Sequence, residues 1–360
     1  MDLRQDRMSH KERKEALYRY QKPDRVPMTE AGHVFSMVNV GYTAADAFTN
    51  PQKAFDGLIW TCEQYGWDPA HNMTSAHVCL GSWDFGAKVK VPESPYSQGL
   101  AIVENAVKTE EDVRNLERPD PRTAGAIPTR MEFGKLLHKA GLPVAFLSRS
   151  PFCTGADICG IDRFCKWMYR KPELCHRLIQ IGMEHTLAVL QYWVDTFGAE
   201  NVFYLMSSPT ESNQIISTRH LEEFALPYHR EFHKRLRAMG ISRFLFHVCG
   251  EQNLNLPFLA QLAADPQGWP HPSILSFGHE VDVEDAARHF PEDIILGNIE
   301  PALFQTGTPQ EVYETCRATI EKGKRIPGGF ILAPGCAMAP RAPSYNVWMM
   351  TKAVNDFGWY

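Results

Sequence analysis

Short apolar runs recur along this chain, each followed by a turn signal and then a stretch with helical spacing. The runs are Arg25–Glu30, a weaker Gly66–Asn72, Pro143–Ser148, Asn201–Met206, Arg243–Val248, Ser273–Phe277, Asp293–Gly297 and Gly329–Ala333. Those from Pro143 onward are apolar nearly throughout rather than alternating, which is the pattern of strands covered on both faces in a parallel sheet. Between them, Ala54–Tyr65, Pro172–Phe197, Thr218–Met239, Val283–His289, Pro309–Lys324 and Ser344–Phe357 carry helical periodicity. Strands that alternate with helices make βαβ units, and eight strand candidates are accommodated most economically by a closed (β/α)8 TIM barrel. A doubly wound open sheet is the alternative. It loses support because no G-x-G-x-x-G follows the first strand and no phosphate-binding glycine loop occurs.

One segment breaks the alternation. From about Gly81 to Thr129 the chain holds Gly86-Ala87-Lys88-Val89-Lys90-Val91, then several prolines, then the polar stretch Lys108–Asp120. We read it as an insertion with a β-hairpin between barrel units two and three. Ahead of the barrel, Ser9 and Glu12 form a capping-box pattern that predicts an N-terminal helix. The basic cluster Lys11–Lys14 in that helix reads as a solvated face. Neither an internal repeat nor a low-complexity linker divides the chain, so residues 1–360 read as one domain.

Composition narrows the function classes. With 44% hydrophobic and 22% charged residues and a net charge of −5, the 360-residue chain is an ordinary globular protein without the basic stripe of a nucleic-acid binder. No apolar run approaches the roughly 18 residues that a membrane span needs. The polar N-terminus lacks the apolar core of a secretory leader. Nine cysteines, an odd number and scattered, suit free thiols in a reducing compartment. A cytoplasmic protein is expected. Cys62, Cys165, Cys175 and Cys316 fall in helical patterns and read as small core residues.

In such a barrel the loops after the C-terminal strand ends build the active site. The polar residues found there are Glu30 and His33 after strand one, and Asn72 and His77 after strand two. Ser148 and Arg149 follow strand three, and Thr210, Glu211 and Ser212 strand four. His247, Cys249 and Glu251 come at strand five, His279 and Glu280 at strand six, Asn298 and Glu300 at strand seven, and Cys336 at strand eight. His247 and Cys249 are alternate residues of an extended segment, so both side chains can face one metal ion. Gly250 permits a sharp turn directly afterwards. Cys336, in Ala333-Pro334-Gly335-Cys336, can reach across the barrel mouth. One imidazole and two thiolates form a soft donor set that suits zinc, and three protein ligands leave a coordination position open, as in catalytic sites. Taken alone, a His-x-Cys pair is more often plain packing. The glycine–cysteine after the last strand is what raises the metal reading.

Across nearly its whole length the chain resembles the uroporphyrinogen decarboxylase superfamily, and within it the zinc-dependent, corrinoid-linked methyltransferases. The resemblance is carried by Asp24-Arg25-Val26-Pro27 at the first strand and by Ser208-Pro209-Thr210-Glu211-Ser212-Asn213-Gln214-Ile215-Ile216-Ser217 after the fourth. Glu223-Phe224-Ala225-Leu226-Pro227-Tyr228, Gly297-Asn298-Ile299-Glu300-Pro301 and Gly328-Gly329-Phe330-Ile331-Leu332 with Gly335-Cys336 continue it. The family's zinc pattern, His-x-Cys and a distant Cys, falls on His247, Cys249 and Cys336. The decarboxylases differ from this chain in two places. They carry an arginine-rich loop after strand one, where this chain has Thr29-Glu30-Ala31-Gly32-His33. They also carry an aspartate after strand two, near the place of His77 here.

The resemblance implies a zinc-dependent transfer of a methyl group between a small substrate (a methyl ether, a methylamine or a thiol) and a corrinoid cofactor, usually carried on a separate corrinoid protein. Glu211, Glu30 and His33 are the candidates for a fourth ligand or for proton delivery. Asn298, His279, Trp83, Phe152 and His77 are the candidates for substrate contact, and Phe277 and Trp348 are further aromatics for an apolar pocket. Two other readings stay open at this point: a decarboxylase acting on a tetrapyrrole, and a non-catalytic, zinc-stabilised partner of a corrinoid protein. The sequence also leaves the oligomeric state undetermined, a homodimer among the options.

Overall fold

The computed structural model describes residues 4–29, 32–69 and 80–360. Its centre is a parallel sheet of six strands in the order β3-β4-β5-β6-β7-β8. These are β3 (Val144–Arg149), β4 (Val202–Ser207), β5 (Phe244–Val248), β6 (Ile274–Phe277), β7 (Ile294–Ile299) and β8 (Phe330–Pro334). Each pairs with the next in sequence and a helix intervenes each time, which is the βαβ repeat. The segment around Val26–Thr29 extends the sheet beyond β8. Thr29 N donates to Leu332 O at 3.0 Å, and Leu332 N donates to Pro27 O at 2.9 Å. On its other side, Asp68 N donates to Met28 O at 2.8 Å. The first two expected strands are therefore present as extended chain in the order that closes a (β/α)8 barrel. The expected second strand continues past residue 69, outside the described residues.

The two faces of the sheet hold different clusters. Leu147, Phe203, Leu205, Leu245, Ile274, Ile294, Leu296, Ile331 and Ala333 pack together inside the barrel, with Leu17 and Tyr18 of the N-terminal helix joining the same cluster. Their neighbours in sequence, among them Phe146, Tyr204, Phe246, Leu275, Ile295 and Leu332, face outward into the helical layer. The period-two alternation is thus complete although both faces are apolar.

The helices Pro172–Phe197, Val283–His289 and Ser344–Phe357 have the predicted bounds, and Pro309–Gly323 ends one residue early. The predicted Thr218–Met239 helix is continuous but contains a π-helical turn at Leu221–Ala225. The insertion forms the expected hairpin, β1 (Lys88–Lys90) against β2 (Ala101–Glu104), antiparallel. Its tip reaches the barrel mouth, where Gln98 Nε2 donates to Met338 O at 2.6 Å.

The Ser9–Glu12 capping box is present. The solvated face expected for Lys11–Lys14 holds for Lys11 and Glu12 but not for the other two: Arg13 is fully buried and Lys14 nearly so. Arg13 pairs with Asp24 at 2.9 Å, Asp68 at 3.0 Å and Asp6 at 2.9 Å. Lys14 lies over the Phe203 ring, 5.1 Å from its centre. Three carboxylates gathered from the first 68 residues compensate the buried guanidinium, a convergence that helical periodicity does not reveal. Cys175 and Cys316 are buried as expected of core residues, whereas Cys62 and Cys165 are only partly covered.

Candidate metal centre

Inward-facing positions continue up the strands to the mouth. Register pairs Arg149 with Ser207, Ser207 with His247, and His247 with Ser276, so one row of side chains crosses β3, β4, β5 and β6 at a single level. Cys249 stands two residues beyond His247 and has the same parity. Cys336 arrives from the far side of the sheet. The β7–β8 ladder runs on to Gly335, whose N–H donates to Ile299 O at 2.7 Å, and this places Cys336 just past the strand end.

The ligand atoms of His247, Cys249 and Cys336 lie within 4.8 Å of one another. The two sulfurs are 3.7 Å apart. Two thiolates on one tetrahedral zinc, each about 2.3 Å from it, stand about 3.8 Å apart by geometry. The spacing therefore suits a shared metal and is far longer than a disulfide bond. Nδ1 of His247 lies 2.9 Å from Ser276 Oγ. The tautomer that donates from Nδ1 leaves the Nε2 lone pair for a metal, and the hydroxyl holds the ring in that orientation. The sulfurs themselves share a proton unequally. Cys336 is lowered, first by the hydrogen bond from Cys249 and then, against burial, by His247 beside it. Cys249 is raised by that same hydrogen bond and by its burial.

The loop bearing Cys249 is tied down on several sides. Gln252 Nε2 donates to Cys249 O at 2.9 Å, Asn213 N to Glu251 O at 2.9 Å, and Ser212 Oγ to Glu251 O at 3.1 Å. Gly250 turns with φ +76°, and a Cβ there would lie 3.1 Å from Ser212 Oγ. Both the backbone conformation and the close approach call for glycine.

A cavity of about 230 Å³ opens below this group. Leu147, Leu205, Leu245 and Leu296 belong to its lining, and His33, Gln98, Arg149, Ser207 and Ser276 supply polar groups. Of the candidates read from sequence, His247, Cys249, Cys336 and His33 thus meet at one cavity. Glu211 lies elsewhere. It is buried, with His229 Nε2 2.9 Å from its carboxylate and the Ser150 hydroxyl donating to it, and it is not part of the cavity wall. Asn298 braces the β6 loop, its amide donating to Gly278 O at 2.9 Å and to Val281 O. His279 lies 3.5 Å from Glu280, outside the lining.

Phe152 is core, its ring 5.1 Å from that of Phe164, and Phe277 stacks on Phe290. Trp348 packs partly buried against the same cluster, and Trp83 does not line the cavity. Glu30, Asn72 and His77 lie outside the described residues. Arg149, placed after strand three by the sequence but given no role there, and Ser276, which the sequence did not single out, also enter the site. Strand parity makes Arg149 and Ser276 candidates for inward positions, and the register puts them level with His247.

The fold and the donor set define a class: a (β/α)8 barrel with a His-Cys-Cys group at its catalytic face. The chain belongs to the uroporphyrinogen decarboxylase (URO-D) family, whose sequence profile matches residues 9–357. It is 24% identical over 277 residues, 76% of each chain, to the methylcobamide:CoM methyltransferase MtbA of Methanosarcina acetivorans. It is 23% identical over 348 residues, 93% of this chain and 94% of the other, to the methylcobamide:CoM methyltransferase MtaA of Methanosarcina barkeri. A uroporphyrinogen decarboxylase of an Anaeromyxobacter species is 21% identical over 355 residues, 95% of this chain and 97% of its own. A solved methyltransferase from Methanosarcina mazei superposes with a TM-score of 0.79 at 19% identity and covers 97% of this chain and 99% of that one. It shares the barrel fold.

Proposed function

We propose that this chain is a zinc-dependent methyltransferase that moves a methyl group between a small substrate and a corrinoid cofactor carried by a partner protein. The observation that carries the reading is the His247–Cys249–Cys336 group, whose sulfurs stand 3.7 Å apart and which lines a largely apolar cavity. Zinc held by His247, Cys249 and Cys336 would supply Lewis acidity toward a thiol or the heteroatom of a methyl donor. The chain's own part is to hold that position fixed. Ser276 orients His247, the latches on Glu251 and Cys249 fix the β5 loop, and four leucines supply an apolar wall beside them. With a thiol as acceptor, the corrinoid would give up its methyl group to the sulfur as co-substrate, keeping the bonding electron pair, and the thiol proton would leave to solvent or to a nearby base. We assign that proton to His33, which lines the same cavity.

The tetrapyrrole decarboxylase reading fits less well. A single arginine, Arg149, stands among the described residues of a wall that is otherwise largely apolar, and a cavity of about 230 Å³ is small for a macrocycle with many carboxylates. A purely stabilising zinc is disfavoured by the set of three ligands found among the described residues. Among the described residues no helix is long and apolar enough to cross a membrane. A single-domain cytoplasmic protein is part of the proposal, supported by the one barrel and the scattered free cysteines.

Elemental analysis of protein purified without added metal is the test. About one zinc per chain, lost in Cys249→Ala together with turnover of methylcobalamin, is the expected result. A native protein that takes up no zinc under reducing conditions overturns the proposal.

A further inference from the structure

We infer that Asn255 is a positioning residue of the metal site: its buried side-chain amide ties the loop after β4 to the loop after β5 and, through Gln252, holds Cys249 in place for the ion. The inference rests on the zinc reading and deepens it, because it names what fixes a ligand that lies beyond its strand. The hydrogen-bonded ladder around β5 ends just short of Cys249. Ser208 N donates to His247 O at 3.1 Å and Gly278 N to Val248 O at 3.4 Å. The next carbonyl, that of Cys249, accepts instead from Gln252 Nε2 at 2.9 Å. Gln252 is in turn held by Asn255, whose Nδ2 donates to Gln252 Oε1 at 2.7 Å and to Glu211 O, in the loop after β4, at 2.9 Å. Asn213, in that same loop, donates from Nδ2 to Asn255 Oδ1 at 2.8 Å.

Two features set this chain of amides apart from ordinary loop packing. The first is its fixed polarity. The backbone carbonyls of Glu211 and Cys249 close two of its ends, and Leu254 N closes the third by donating to Asn213 Oδ1 at 3.1 Å. With those ends given, each amide has one workable orientation, and both N–H donors of Asn255 are used. The second feature is a helix cap that is not made. Asn255 occupies the N-cap position of the helix Leu256–Ala263, where an asparagine side chain ordinarily accepts from the first amides of its own helix, yet it makes no such bond. Local sequence calls for a cap, and the tertiary structure turns the side chain toward the two loops instead. Asn255 is fully buried and Gln252 is 1% exposed, so water does not replace a lost partner. None of Asn213, Gln252 and Asn255 lines the cavity, and their effect on the ion therefore passes through Cys249.

The test measures zinc affinity, by competition with a chromophoric chelator, and the absorption spectrum of the cobalt(II)-substituted protein. Thiolate-to-cobalt charge-transfer and ligand-field bands report the geometry around the ion, which a residue that only stabilises the fold does not move. Asn255→Ser keeps a side chain able to cap its own helix but too short to join Gln252 to Glu211. It is expected to weaken zinc binding about 10-fold, the lower end for loss of an outer partner of a metal ligand, and to shift the cobalt bands. Gln252→Met removes the last link at similar volume and is expected to do the same. Both act through one chain of hydrogen bonds, so the double variant is expected to lose about as much as the worse single variant, rather than the roughly 100-fold of two independent changes.

A thermal melt of each metal-free variant separates fold from site. A purely structural role lowers the melting temperature and leaves zinc affinity and the cobalt spectrum as in the native protein. That result, in a native protein that binds zinc, overturns the inference and leaves the methyltransferase reading standing. A double variant whose two losses add overturns it as well. Should Asn255→Ser fail to fold, Gln252→Met carries the test, because it leaves Asn255 bonded to Glu211 and Asn213. Native zinc affinity in that variant then overturns the inference. A native protein that takes up neither zinc nor cobalt under reducing conditions overturns the methyltransferase reading, and this inference falls with it.

Discussion

Replacing Ser276 with alanine removes the one hydroxyl that sits 2.9 Å from Nδ1 of His247. The two residues are direct register partners on β5 and β6, and Ser276 is 4% exposed, so little water is available to substitute for it. The imidazole then loses the contact that selects the tautomer with Nε2 free and fixes the ring plane toward the two sulfurs. Loss of such an outer partner of a metal-bound histidine costs about 10- to 100-fold in metal affinity, or about 1.4 to 2.7 kcal/mol. Ser276 occupies an inward row and the change deletes one oxygen, so the fold should tolerate it. Competition with a chromophoric chelator at fixed pH measures the zinc dissociation constant, and a thermal melt of the metal-free protein checks the fold. An unchanged dissociation constant would refute the positioning role. A loss as large as that of Cys336→Ala, or a collapsed melt, would show that the substitution acts through the fold instead.

Other outcomes follow from the same geometry. Gly250→Ala places a side chain in the left-handed region and 3.1 Å from Ser212 Oγ, so about 1 to 2 kcal/mol of stability and part of the zinc affinity should go together in denaturant and chelator titrations. Glu211→Ala strands the buried His229 and removes its carboxylate contact at 2.9 Å. We expect a loss of about 1 to 3 kcal/mol by denaturant unfolding, with zinc still bound because Glu211 is not in the cavity wall. Acid stability should depend on Asp68. Burial raises it, but the hydrogen bond from His10 and the charges of Arg25 and Arg13 prevail and hold it at about 2. Its folded value lies below the unfolded one of about 3.9, so it contributes about 2 kcal/mol above pH 4, and that contribution fades as pH falls from about 4 toward 2. Asp68→Asn should lower stability at pH 7 and flatten that acid limb. An identical limb in the variant would show that other carboxylates govern it.

Much of the architecture is legible in the chain because it is set at short range. The helix Pro172–Phe197 begins at its own proline and ends at Gly198, with φ +83°, and Thr308 with Glu311 caps the next to last long helix. The hairpin insertion declares itself by breaking the strand–helix alternation. The grouping of His247, Cys249 and Cys336 was legible for a related reason: His247 and Cys249 differ by two residues at one strand end, and Cys336 follows the last strand, so strand parity and barrel closure place all three at one end.

What sequence could not decide are matters of which surface a side chain meets. Glu211 and Arg149 both follow strands at the mouth, yet Glu211 turns back to His229 and Ser150 while Arg149 faces the cavity. Arg13 carries a charge on a helix with a good capping box and reads as solvated until Asp6, Asp24 and Asp68 converge on it. Phe152 and Phe277 are aromatic near the mouth but pack outward. The local pattern therefore determined the elements, their order, and which residues of each strand share a face. Tertiary structure alone decided which inward residues stand at the same level, because strand register depends on hydrogen bonds between segments far apart in the chain, and which loop residues face the cavity, because that depends on the partners each finds there.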